Sequence, residues 1–167
     1  PGILEALKTD IDGLSLLGRL GSLILPAPDF IGVIQEIREQ LIEECDYQKE
    51  AANQEVFRSY YVQHPGIMIP RVFREYSSRR VLVTEYFEGQ GLDTFAQSAS
   101  QEERNQVGEA IWEFYNRSKL ALGLFNTDPH AGNLIFVPAQ VVFLDFGSVK
   151  RLSPTAMERL RSFTRCM

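Results

Sequence analysis

Asp128, Asn133 and Asp145 are the residues of this chain whose types and spacing point to chemistry. The first two frame Asp128-Pro129-His130-Ala131-Gly132-Asn133, and the third opens Asp145-Phe146-Gly147. Between them lie the apolar runs Leu134 to Val137 and Val141 to Leu144, joined by a turn containing Pro138. A hairpin returns the chain to where it began, so Asp145 is expected close to Asn133. Oxygen-bearing side chains that converge without a thiolate suit Mg²⁺, which leaves its remaining positions to water and substrate phosphates. Phosphoryl transfer is the chemistry such a site serves. The plainer alternative makes Asp128 a turn cap, Asn133 the start of a strand and Asp145 the end of another. It accounts for each residue singly but not for their joint spacing.

Periodicity supplies the elements that must position these side chains. Leu4 to Leu20 has helix-compatible apolar spacing, broken at Pro26-Ala27-Pro28-Asp29. From Asp29 onward Ile31, Ile34, Ile37, Leu41, Cys45, Ala52, Val56 and Tyr60 predict a long amphipathic helix ending near His64-Pro65-Gly66. Ile67 to Phe73 and Arg80 to Phe87 read as an antiparallel pair about Ser77-Ser78-Arg79, and Gly89 and Gly91 end that pattern. Gln101 to Leu122 is again helical, with Val107, Ile111, Phe114, Tyr115, Ser118 and Leu122 on one side and Trp112 expected in the core. A last helix starts near Ser153-Pro154, where Ser caps and Pro fills the first turn. The order helix, β-pair, linker, helix, acidic loop, hairpin, acidic loop predicts an α+β fold rather than a doubly wound sheet.

Composition narrows the partners. The net charge of -5 and the lack of a dense Lys/Arg block argue against nucleic acid, which needs clustered cations. Cys45 and Cys166 are the only cysteines, too few for a disulfide framework or a four-ligand zinc site, so a reducing compartment is the default. No signal peptide is visible, and the apolar stretch Leu14 to Leu25 is too short to span a bilayer.

The D-x-x-x-x-N spacing followed by D-F-G resembles the catalytic-loop and metal-loop pair of protein-kinase-like folds. That resemblance implies that Asp128 orients or deprotonates the attacking hydroxyl or water, while Asn133 and Asp145 hold Mg²⁺ on the phosphates of ATP. Glu43-Glu44-Cys45-Asp46-Tyr47-Gln48-Lys49-Glu50-Ala51-Ala52-Asn53, with Thr127 to Asn133 and Leu144 to Gly147, is similar to the UbiB (AarF) family of atypical protein-kinase-like proteins. The resemblance extends over nearly the whole chain. Two positions depart from the family's D-P-H-P-G-N loop and its surroundings. Ala131 replaces the usual Pro, and Asn126 stands where His is frequent. Loss of a loop-bracing imidazole at Asn126 predicts a less rigid loop.

On a helix Asp46, Glu50 and Asn53 share one face, whereas Glu44 and Asp46 point to nearly opposite sides. The kinase resemblance pairs a Glu of this helix with a strand Lys, and Glu50 is the first choice for that role. Glu44 and Asp46 resemble the family's E-x-D motif, which is thought to meet an N-terminal extension over the active site. Their plainer alternative is a solvated acidic face. None of Lys8, Lys49, Lys119 and Lys150 sits in a V-A-I-K type strand. The resemblance therefore implies a single partial kinase-like domain that begins just after the Lys strand. Residues 1–88 would be the remainder of the N-lobe and the hinge, and 89–167 a largely helical C-lobe portion with the catalytic-loop hairpin.

Such a chain alone is expected to have little or no phosphoryl-transfer activity. Backbone groups of Glu85, Tyr86 and Phe87 are expected to face adenine, His130 to brace the loop or approach phosphate, and His64 to be a turn residue. The function implied is a UbiB-type kinase or ATPase using ATP and Mg²⁺. The family associates it with ubiquinone or other isoprenoid-lipid metabolism, in the cytoplasm and peripheral to the inner membrane. A small-molecule phosphotransferase of the aminoglycoside or choline kinase type, and a non-catalytic nucleotide- or lipid-binding scaffold, are the other readings.

Overall fold

The structure, a computed structural model, describes residues 46–165, all but Asp46 within a unit that runs from Tyr47 to Met167. Glu44 and the helices expected before residue 46 lie outside those residues. Helix α1, Tyr47–Tyr61, falls within the span predicted as one long helix from Asp29, but Asp46, directly before it, is not helical. Its buried side is Ala51, Gln54, Phe57 and Tyr61, which recur at helical spacing. Pro65 lacks an N–H and stops the helix, and His64 N–H closes the end on Tyr61 O at 2.9 Å.

Strand β1, Ile67–Met68, pairs in parallel with Val141 and Val142. Ile67 to Phe73 and Arg80 to Phe87 do run antiparallel, but they meet only at isolated bridges, Val72 with Thr84 and Ser78 with Val81. The expected continuous pair is thus corrected. Pro70 lacks a donor, Arg74–Tyr76 coil into a 3₁₀ turn, and Ser77 Oγ takes up Phe73 O at 2.8 Å and Val83 N–H at 3.0 Å.

Helix α2, Leu92–Ser98, follows the glycines and had no sequence prediction. Helix α3, Gln101–Ala121, has a capping box in which Ser100 and Glu103 satisfy each other's backbone N–H groups. It buries Val107, Ala110, Phe114 and Ser118 and leaves Ile111, Tyr115 and Leu122 half-buried against the same core. Trp112 is not in the core as expected. It is 68% exposed, because the Phe114 and Ser118 face turns it outward.

Strands β2, Leu124–Asn126, β3, Leu134–Val137, β4, Gln140–Phe143, and β5, Val149–Arg151, complete the sheets, before helix α4, Pro154–Arg165. The predicted hairpin is β3 and β4, in register Leu134 with Phe143 and Val137 with Gln140. Pro138 fixes the first turn position and Ala139 takes φ 60, the pattern of a type II turn. One sheet has the order β1-β4-β3 and the other is the antiparallel ribbon β2-β5. The core centres on Phe114, whose ring stacks on Phe143 at 3.7 Å and meets Phe57 at 5.4 Å and Phe146 at 6.3 Å.

Candidate active site

The β2-β5 ribbon and the β3-β4 hairpin tie down the loops that bear the predicted site. At the ribbon end, Thr127 N–H donates to Ser148 O at 2.8 Å, and the two hydroxyls lie 2.5 Å apart. At the hairpin end, Leu144 N–H donates to Asn133 O at 3.0 Å. The loop with Asp128 and the loop with Asp145 are therefore joined at both ends. Between the joins, Asn126 crosses from one loop to the other. Its Nδ2 donates to Asp145 O at 2.6 Å and its Oδ1 accepts Asp128 N–H at 2.9 Å. At 6% exposure the amide is shielded from competing water. The loop expected to lose rigidity without an imidazole is braced by this side chain instead.

The predicted residues come together in this frame. Asn133 Nδ2 donates to Asp128 Oδ2 at 3.3 Å, which leaves the amide oxygen of Asn133 for another partner. Asp145 Oδ1 accepts Gly147 N–H at 2.8 Å, fixing the carboxylate in its own turn. From α1, Glu50 accepts the N–H of Phe146 and Asn53 Nδ2 donates to Phe146 O at 3.0 Å. One face of α1 thus holds both polar groups of Phe146, the residue beside Asp145. The ring of Phe146 is fully buried. His130 accepts Gly132 N–H on Nδ1 at 3.0 Å, a local brace within the turn.

Charge follows this geometry. Glu50 is held above its ordinary value of 4.5, first by burial and second by the Asp145 charge, with the Phe146 N–H pulling the other way. Burial, then the charge of Asp128, raises the Tyr115 phenol. A raised carboxyl pKa means that the folded state binds a proton more tightly than the unfolded chain. Stability then falls as pH rises through the unfolded value, and the loss is complete above the folded one. Glu50→Gln keeps an oxygen for the Phe146 N–H, so it is expected to raise the melting temperature at about pH 7 and leave it unchanged below about pH 4. Thermal melts at both values check this. An equal shift at both would show that charge is not the cause.

The donor set fits Mg²⁺ bound partly by substrate. It offers a carboxylate and an amide oxygen, and among the described residues no group of three or more His, Cys, Asp or Glu could form a metal cage. Mg²⁺ takes one or two carboxylates and leaves the rest of its octahedron to water and phosphate.

At the segment expected to face adenine, Glu85 N–H donates to Arg71 O at 2.8 Å, and Glu85 Oε2 accepts Arg71 N–H at 3.1 Å. Tyr86 is 85% exposed, while Glu85 and Phe87 border a cavity of about 210 Å³ with Arg58, Ile67 and Gln140. His64 does more than turn the chain. Its Nε2 meets Glu113 Oε2 at 2.8 Å and its Nδ1 accepts Gly66 N–H at 3.2 Å, tying the end of α1 to α3. Asn126, Asn53 and the Thr127–Ser148 pair were not among the site residues chosen from sequence. Asn126 was visible as a departure from the family loop, but its bridging role depends on strand pairing.

Residues 1–166 match the ABC1 atypical kinase-like domain. An uncharacterised aarF domain-containing protein kinase of Arabidopsis thaliana, chloroplastic, is 34% identical over 98% of this chain and 32% of its own length. The mitochondrial atypical kinase COQ8B of Danio rerio is 31% identical over 90% of this chain and 24% of its own length. The chain thus spans a third or less of these relatives. A solved structure of Rv3197 with erythromycin, from Mycobacterium tuberculosis, superposes with a TM-score of 0.79 at 31% identity, covering 91% of this chain and 39% of that one. The mixed α+β architecture is kinase-like, and the chain belongs to the ABC1 (UbiB/AarF) family of atypical kinase-like proteins.

Proposed function

We propose that the chain carries the metal-binding and catalytic half of a Mg²⁺-ATP-dependent kinase or ATPase linked to ubiquinone or another isoprenoid lipid. The observation that carries this reading is the Asn126 amide, which joins the Asp128 loop to the Asp145 loop at 2.9 and 2.6 Å. A turn cap and a strand end need no such buried connection. Asn133 and Asp145 would hold Mg²⁺, whose charge would offset that of the nucleotide phosphates. Asp128, beside Asn133, would accept the proton of the attacking hydroxyl or water, and Asn126 keeps that loop in place. Because Glu85 N–H is already engaged, Tyr86 and Phe87 are the better backbone partners for adenine.

The lipid link rests on family membership and on the COQ8B relative. Among the described residues no helix is long and apolar enough to cross a membrane. Calorimetry with Mg²⁺-ADP and Mg²⁺-ATP, on this chain and on a polypeptide extended upstream through the Lys strand, tests the proposal. Metal-dependent binding by the extended form, weakened about tenfold or more by Asp145→Asn, is expected. No metal-dependent binding by either form would contradict it.

A further inference from the structure

Gly89 lies where the hinge segment crosses the hairpin, and a side chain has no room there. A Cβ on Gly89 would stand 2.5 Å from Ile135 Cγ2, 2.6 Å from Phe136 O and 3.0 Å from Val137 Cγ1. One of these is backbone, so a rotamer change cannot relieve all of them. The close approach is held by a two-way bridge in the next residue, with Gln90 N–H to Phe136 O and Phe136 N–H to Gln90 O both at 2.8 Å. Strand alternation places Ile135 and Val137 on the half-buried side of β3, opposite the buried Leu134 and Phe136. Phe136 in turn stacks on Phe95 of α2 at 4.6 Å. The linker is therefore fastened on one side of a strand whose first residue follows Asn133.

We propose that Gly89 is a positioning residue that sets the distance between the hinge backbone at Tyr86 and Phe87 and the hairpin bearing Asn133. This rests on the nucleotide reading above and adds a residue to it. Only two residues, Phe87 and Glu88, separate Tyr86 from Gly89, so a linker lifted by a methyl group carries the hinge with it. The phosphate end of the site, fixed by Asn126 and the two strand pairings, stays where it is. The consequence is selective. A misplaced hinge weakens the grip on the base while sparing the grip on metal and phosphate.

The test is calorimetry on the full-length polypeptide with Mg²⁺-ADP and Mg²⁺-tripolyphosphate, which share phosphate chemistry but not the base. Gly89→Ala is expected to weaken ADP binding about tenfold or more, since a misplacement of about 1 Å has effects of that order. Tripolyphosphate binding is expected to stay unchanged. If Gly89→Ala does not fold, Ile135→Phe, which enlarges the half-buried side chain nearest Gly89 and so lifts the linker from the hairpin side, is expected to show the same selective loss. Unchanged ADP affinity in the folded variant, or equal loss for both ligands, would overturn the role of Gly89. Wild-type protein that binds neither ligand would instead overturn the nucleotide reading beneath it.

Discussion

Asn126→Leu is expected to destabilise the fold by about 3 kcal/mol and to abolish metal-dependent nucleotide binding, although Asn126 is not itself a ligand. Leucine has the branched heavy-atom outline of asparagine but is larger and offers no polar atom. Asp145 O loses its donor at 2.6 Å and Asp128 N–H loses its acceptor at 2.9 Å, both beside a residue only 6% exposed. A buried group left without a partner costs about 1–3 kcal/mol, and these two, both in part-buried bonds, lie toward the lower part of that range. Asn126→Asp separates the two bonds. Its carboxylate still accepts Asp128 N–H but faces Asp145 O with no donor, so it should fall between wild type and Asn126→Leu near neutral pH. Urea melts of the three proteins, with calorimetry on each, decide this. A loss of less than about 1 kcal/mol in Asn126→Leu would mean that strand pairing alone holds the loops.

Phe146→Ala is expected to cost about 3–5 kcal/mol, the range for removing a fully buried aromatic ring. The ring is 0% exposed and lies 5.2 Å from Phe57 and 6.3 Å from Phe114. Phe57 comes from α1, Phe114 from α3 and Phe146 from the loop itself, so no single element can close the space left behind. The effect also reaches the site. Glu50 and Asn53 hold the backbone of Phe146 while its ring fills the core, and Asp145 is the preceding residue. Loss of the ring removes one of the two anchors that fix Asp145. Denaturation midpoints measure the first effect and metal-dependent affinity the second. A variant with unchanged midpoint would contradict the packing described here.

The parts of this fold that were legible in sequence are those where one local rule governs several residues. The hairpin follows from two apolar runs of matching length around Pro138, and α3 follows from the regular spacing of Val107, Ile111, Phe114, Tyr115, Ser118 and Leu122. The proximity of the Asp128 and Asp145 loops was legible because the hairpin between them returns the chain to its start.

What was missed depends on contacts distant in sequence. Strands β2 and β5 are too short to show alternation, and only their pairing with each other makes them strands. Ile67–Met68 fits an antiparallel partner as well as a parallel one by composition, and β4 provides the parallel partner. Trp112 was expected in the core from residue type, but a helix of this length has an outer face even for a large apolar ring. The bracing role of Asn126 was invisible because an amide can replace an imidazole only where both of its partners lie in reach.

The central claim is that a divalent ion and nucleotide phosphates sit between the Asp128 and Asp145 loops. Paramagnetic broadening of side-chain amide resonances, with Mn²⁺ replacing Mg²⁺ in the presence of ADP on the upstream-extended polypeptide, tests it most directly. The prediction is that Asn133 and Asn126 broaden first, Gln140 at the far end of the hairpin stays sharp, and Asp145→Asn removes the effect. Nucleotide-dependent broadening centred away from Asn133, or broadening that survives Asp145→Asn, would contradict the account.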